Sequence, residues 1–228
     1  MRKNVKKQLA LRVLSTAALV AMVSSIATAA FAAEYDVTKG SVDILAEGGK
    51  QYITQWEDKD SNTCVKDGKG KEIRDREDSD ITLTTKNKAT GETETTSNTV
   101  TITAENKGDT ANVTLDNVHI EVDTGKAKSG AIEIKGDGNT KLELNGDNTV
   151  MVKNGWEEEH AAIEKADKYG KEGTLTIKDD VNDDGTAKGT DADTTGTLLA
   201  GGYHEAAAIG GGAGEDLCDT SNIYHHRR

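Results

Sequence analysis

The 228-residue chain carries a formal net charge of −12, contains no proline and has few aromatic residues. So acidic a surface repels phosphate, and nucleic acid and anionic lipid are therefore not expected partners. The length is sufficient for one domain with a sizeable core. The two cysteines, Cys64 and Cys218, are too few for a disulfide framework, and a single bridge and two free thiols both remain open.

Residues 1–33 have the pattern of a secretory signal peptide. Five basic residues and no acid occur up to Arg12, and an apolar run from Val13 to Ile26 follows. This run is short for a membrane span, and we expect it to be helical in the precursor. Small residues then predict cleavage after Ala32 or Ala33, a secreted or cell-surface location, and no membrane contact after cleavage. Removing the five basic residues takes the formal charge from −12 to −17.

Residues 34–110 contain strand-like patterns without a clear repeat. Apolar and polar residues alternate at 42–44, 81–83 and 100–102, which is typical of strands. The stretch from Gln55 to Asp80 is rich in charged residues and is predicted to be a loop. We therefore expect an irregular N-terminal cap with irregular first coils, because the first coil of a solenoid has to be shielded from edge pairing.

Residues 111–214 repeat a set of three short strands. One family of strands begins at spacings of 29 and 33 residues, with Val113, Leu142 and Leu175. A second family is spaced by 31 and 46 residues, with Ile132, Ile163 and Ile209. Glycine, asparagine and aspartate occupy the corners between strands. The repeat predicts an all-β parallel β-helix, a solenoid in which each family stacks in one column; a β-sandwich is the alternative. Residues 215–228 show no further coil, and an irregular end or a truncated chain both fit.

Several of these strings resemble known coils: VTLDNVHIEV, AIEIKGDGNTKLELNGDNTV, HAAIEKA, GTLTIKDD and AAAIGGGAG. They are similar to the coils of secreted bacterial right-handed parallel β-helix proteins of the pectate-lyase-like superfamily, and most similar to the clostridial-type carbohydrate-binding branch. The likeness covers roughly residues 112–214. It implies a right-handed β-helix and an extracellular or cell-wall polysaccharide as the partner.

A calcium-loop pattern, D-x-N-x-D-G, begins at residue 180. Its expected ligands are Asp180, Asn182, Asp184, Thr186 and Asp191. The coil from Ile163 to Ile209 is longer than the preceding one, so the loop is predicted to be an insertion at a coil corner. It resembles a dockerin loop, although no amphipathic helix follows it. We expect Ca²⁺ to bind there; an ordinary acidic turn is the alternative.

The sequence supports catalysis less well than binding. It contains no nucleophile elbow, zinc-ligand spacing or phosphate loop, and we assign no catalytic residue. His160 and His204 precede similar Ala-Ile strands, which favours a stacked structural role over that of a general base.

Three aromatic residues, Trp156, Tyr169 and Tyr203, lie beside the Ala-Ile strands or their loops. They are the expected carbohydrate-binding residues, because aromatic rings stack against sugar rings; core or capping roles are the alternative. We expect a non-catalytic polysaccharide-binding protein, stabilised by calcium. A polysaccharide lyase or glycoside hydrolase of the β-helix fold and a structural or adhesive surface rod are the other hypotheses. The carbohydrate part depends on the family resemblance alone.

Overall fold

The computed structural model describes residues 33–153, 160–165, 172–179, 196–204, 206–211 and 223–225. Almost all regular structure in these ranges is β-strand, and the strands in chain order are β1 (Ala33–Asp36), β2 (Ser41–Glu47), β3 (Lys50–Asp58), β4 (Thr63–Cys64), β5 (Arg76–Glu77), β6 (Ile81–Thr84), β7 (Thr95–Thr96), β8 (Val100–Ala104), β9 (Thr110–Asp116), β10 (His119–Asp123), β11 (Ile132–Lys135), β12 (Asn139–Asn145), β13 (Asp147–Lys153), β14 (Ile163–Glu164), β15 (Leu175–Asp179), β16 (Thr197–Gly201), β17 (Ile209–Gly210) and β18 (Ile223–His225). Two short helices, Val37–Lys39 and Thr124–Ala127, complete the inventory of the described residues. None of the helices in these ranges has the length and apolar character needed to cross a membrane.

The strands form three sheets. Sheet 1 has the order β1-β6-β9-β12-β15-β18, and sheet 2 the order β16-β13-β10-β7. Sheet 3 has the order β17-β14-β11-β8-β2-β3-β4, with β5 also paired to β3. From β6 to β17 the chain passes through sheets 1, 2 and 3 in the same order four times. The fold is therefore all-β, and every pairing along this path is parallel.

Alternation of apolar and polar residues turns one face of each strand toward a common core. On β9, Val113 and Leu115 are buried whereas Thr114 between them is partly exposed. Such alternation follows from the two-residue period of a β-strand. One buried apolar cluster includes residues of all three sheets, such as Leu115, Ile120 and Ile132. Burial of these strand faces in a shared core is the main source of stability for the fold.

Pairing in sheet 3 confirms one of the two predicted columns. Ile132 lies opposite Ile163, and Ile163 lies opposite Ile209. The column continues beyond the predicted repeat, because Val100 lies opposite Ile132 and Val42 opposite Val100.

The predicted column in sheet 1 is only partly right. Val113 lies opposite Leu142, as expected. Leu175, however, lies opposite Thr140, and Ile177 takes the position opposite Leu142. The error is a slip of two residues, which keeps every side chain on the same face and is therefore invisible to the hydrophobic pattern.

The stretch from Gln55 to Asp80 is not wholly a loop. It contains the end of β3 together with β4 and β5, which pair antiparallel to β3. β3 in turn pairs antiparallel to β2, so these strands extend sheet 3 beyond its parallel part. Cys64 lies here as a buried free thiol, and burial raises its pKa, which makes it a poor nucleophile in the folded protein.

Candidate functional site

The outer face of sheet 3 carries a column of polar residues. Since Val100 and Ile132 point into the core, their neighbours Thr101 and Glu133 point to the opposite face. Asp43 lies opposite Thr101 and extends the column onto β2. The parallel register of the sheet thus aligns polar side chains from three strands that are distant in sequence.

A groove of about 560 Å³ lies over this face. Most of its lining residues come from four neighbouring strands, β3, β2, β8 and β11, which together span about 14 Å across the sheet. The groove is lined by Thr101 and Thr103 of β8 and by Thr99, which directly precedes this strand. Ala127 and Ser129, from the segment between β10 and β11, also line it. The groove therefore offers hydroxyl groups on a surface made of regular strands.

Two aromatic residues line the groove from β3. Tyr52 and Trp56 are four residues apart and thus on the same side of the strand, and both are partly exposed. The indole Nε1 of Trp56 donates a hydrogen bond of 2.7 Å to Oδ2 of Asp43. The guanidinium carbon of Arg74 lies 5.1 Å from the centre of the indole ring, within range of a cation–π interaction. These contacts hold the Trp56 ring in one orientation.

Each carboxylate of the groove has a hydrogen-bonding or ionic partner. Nζ of Lys59 lies 2.9 Å from Oδ2 of Asp43, and Nζ of Lys135 lies 2.8 Å from Oε2 of Glu133. Oδ1 of Asp75 accepts a hydrogen bond of 3.2 Å from the hydroxyl of Thr54. Carboxylates held by lysine or threonine, hydroxyls and fixed aromatic rings are suited to binding an uncharged polar ligand.

A second group of polar side chains adjoins the groove at Glu133. Glu133, His160 and Glu164 bring one donor atom each within 4.8 Å of one another, and all three residues are largely buried. Nδ1 of His160 lies 2.6 Å from Oε2 of Glu164. The chain packs closely here, because a Cβ atom on Gly130 would lie only 2.4 Å from the carbonyl oxygen of Ala161. Two carboxylates and an imidazole are a donor set that can hold a metal ion.

Most of the site residues predicted from the sequence fall outside the described residues. The proposed calcium ligands Asp180, Asn182, Asp184, Thr186 and Asp191 lie outside the described residues. Trp156 and Tyr169 also lie outside them. Tyr203 is described: it is partly exposed, packs against the hydrophobic core, and has its ring centre 6.4 Å from that of His204.

The two histidines have different surroundings. His160 is largely buried and contacts Glu164, whereas His204 is exposed. They also sit at different distances from their paired strands, three residues before Ile163 and five before Ile209.

Sequence reasoning missed Tyr52 and Trp56. Both fall in the segment KQYITQWED, where Tyr52 and Trp56 alternate with the buried Ile53 and Gln55. That alternation is the signal of a strand with one exposed face, and it was obscured by the charged residues that follow.

Comparison with protein-family models, with curated proteins and with solved structures finds no match. The fold and the groove define a class, an all-β protein with a polar, aromatic-lined groove on a largely parallel sheet. The resemblance to pectate-lyase-like proteins remains a prediction from the sequence.

Proposed function

We propose that the chain is a secreted or cell-surface, non-catalytic polysaccharide-binding protein with a right-handed parallel β-helix fold. The observation that carries the proposal is the groove on sheet 3, where Tyr52 and Trp56 lie beside hydroxyls and carboxylates. Aromatic rings provide stacking surfaces for sugar rings, and the polar groups provide partners for sugar hydroxyls. The in-register pairing of strands through three sheets supports the β-helix.

The groove favours binding over catalysis. A glycosidase pairs a carboxylic acid with a carboxylate that faces the scissile bond. Here Asp43 and Glu133 are each held by a lysine, and Asp75 is held by Thr54. Each of these three carboxylates is thus already engaged by another side chain of the protein.

Two further parts of the proposal derive from the sequence. The first described strand begins at Ala33, so cleavage after Ala32 would leave every described strand intact. Mass spectrometry of the exported protein would identify the N-terminus. The proposed calcium loop is tested by the melting temperature: calcium should raise it more than magnesium does, and Asp180→Ala with Asp184→Ala should abolish the rise.

Binding of the mature chain to pectate, xylan, cellulose and a glycan array tests the function. Trp56→Ala should weaken the observed binding about tenfold or more, because a partly buried aromatic anchor is lost. Thr101→Arg should also weaken it by filling the groove. Thr114→Arg is the matched control, because Thr114 lies on the outer face of sheet 1.

The same assays distinguish the other hypotheses. If Trp156→Ala weakens binding and Trp56→Ala does not, the sugar platform is the one predicted from the sequence rather than the groove. Release of reducing ends or unsaturated products would identify an enzyme. No binding to any glycan would contradict the proposal and favour the surface rod.

A further inference from the structure

Glu133 and Glu164 are directly opposite each other on neighbouring strands. They are paired in register on β11 and β14, and their side chains are 8% and 0% exposed. Like charges directly opposite in a sheet destabilise it, and burial increases the cost of each charge. The arrangement therefore favours positive charge beside the two carboxylates.

We propose that Glu133, His160 and Glu164 bind a divalent transition-metal ion, with Zn²⁺ as the ion that the donor set fits best. The three donor atoms lie within 4.8 Å of one another. In a tetrahedral zinc site, two donors that each lie about 2.0 to 2.2 Å from the ion are about 3.4 Å apart. The donors here are separated by at most 4.8 Å, so the widest pair has to approach by up to about 1.4 Å, a movement that rotation of the side chains can supply.

The donor types distinguish this site from a calcium loop. Calcium takes six to eight oxygen ligands, whereas zinc accepts imidazole nitrogen with carboxylate oxygen and is satisfied by three protein ligands and a water. The donor set thus differs from that of the predicted calcium loop. The site adjoins the proposed glycan groove and shares Glu133 with it.

Two side chains already contact the glutamates, and these contacts would have to yield to the ion. Lys135 pairs with Glu133, and His160 contacts Glu164. Lys135 has a side chain that is one-third exposed and lines the groove, so it can turn toward solvent when an ion takes its place. Entry of the ion would then replace the Lys135–Glu133 ion pair and the His160–Glu164 contact by three metal–ligand bonds.

Isothermal titration of the mature chain with ZnCl₂ in millimolar calcium tests the proposal. Calcium occupies oxygen-only sites, and a background with Cys218→Ser, His225→Gln and His226→Gln removes one thiol and the two adjacent histidines as zinc donors. We expect one equivalent of zinc to bind, and His160→Gln and Glu164→Gln each to weaken it about 100-fold or more. His119→Gln and Glu121→Gln are the matched controls, because both residues lie on sheet 2.

A spectroscopic measurement keeps the test decisive if Glu164→Gln does not fold. In the same background, zinc X-ray absorption should show one imidazole nitrogen together with oxygen ligands. Failure to bind one equivalent, unchanged affinity in His160→Gln, or a spectrum without an imidazole ligand would overturn the proposal. None of these results depends on glycan binding, so the groove and the metal site can fail separately.

Discussion

The side-chain Oδ1 of Asn148 accepts a hydrogen bond of 2.9 Å from the backbone N–H of Val118, which is thirty residues earlier in the chain. Nδ2 of the same residue donates to the carbonyl oxygens of Asn145, at 3.0 Å, and Thr197, at 3.1 Å. Asn148 is 1% exposed and lies at the start of β13, beside the corner between sheets 1 and 2. One buried amide thus connects three successive passes of the chain.

Asn148→Ala should lower the free energy of unfolding by about 2 to 3 kcal/mol. The substitution leaves a buried N–H and two carbonyl oxygens without these bonds, and that is costlier than the loss of a bond at the surface. Urea unfolding followed by circular dichroism measures the difference. Asn112→Ala is the control, because Asn112 is exposed on β9, and it should change stability by less than about 0.5 kcal/mol.

Ile163→Asp should prevent folding. Ile163 is fully buried between Ile132 and Ile209 in the stacked column, so a carboxylate there would be unpaired and shielded from water. Leu199→Asp is the matched substitution, because Leu199 is 62% exposed, and it should fold normally. Far-ultraviolet circular dichroism and a melting curve distinguish the outcomes. A folded Ile163→Asp variant with an ordinary melting transition would contradict the stacking.

The sequence was sufficient to predict the all-β fold and one column of sheet 3. It was not sufficient for the pairing of Leu175, because a slip of two residues preserves which face is apolar. We attribute the register there to the geometry of the corner before β15. Gly173 approaches the backbone of Gly138 so closely that a Cβ atom would lie 1.8 Å from the carbonyl oxygen. Because this contact joins two turns of different length, it leaves no periodic pattern in the sequence.

The candidate sites were less predictable than the fold. Trp56 and Asp43 meet because β3 folds back antiparallel on β2, a pairing that the repeat does not contain. Glu133 and Glu164 occur in the repeated Ala-Ile-Glu strings, so their stacking follows from the repeat itself. Their burial does not, because the repeat alone would place both carboxylates on an outward, solvated face.

Stability should depend on pH through Asp67. Hydrogen bonds from the backbone N–H groups of Lys71 and Lys69, together with Arg76, lower the pKa of Asp67. A carboxyl whose pKa is lower in the folded state stabilises the protein above its unfolded pKa of about 3.9, and that contribution disappears as pH falls through the folded value.

The stability difference between the wild type and Asp67→Asn should therefore shrink as pH falls from about 5 to about 2. Urea unfolding at several pH values measures it. A difference for Asp67→Asn that stays constant over the range would contradict the assigned hydrogen bonds.

Gly173→Ala should destabilise the protein, whereas Gly68→Ala should not. A Cβ atom at position 173 would lie 1.8 Å from the carbonyl oxygen of Gly138, and relief requires movement of backbone rather than of a flexible side chain. The expected loss is about 1 to 3 kcal/mol or more, as for other overpacked sites. A Cβ atom on Gly68 would meet open space, so alanine there should be neutral or stabilise the protein by about 0.4 to 1 kcal/mol, because it lowers the entropy of the unfolded chain.

Both glycines have backbone angles accessible to alanine, which leaves the close approach as the difference between them. Equal stability of the two variants would show that the two turns are farther apart than the structure places them, and would remove the corner contact as the reason for the register of Leu175.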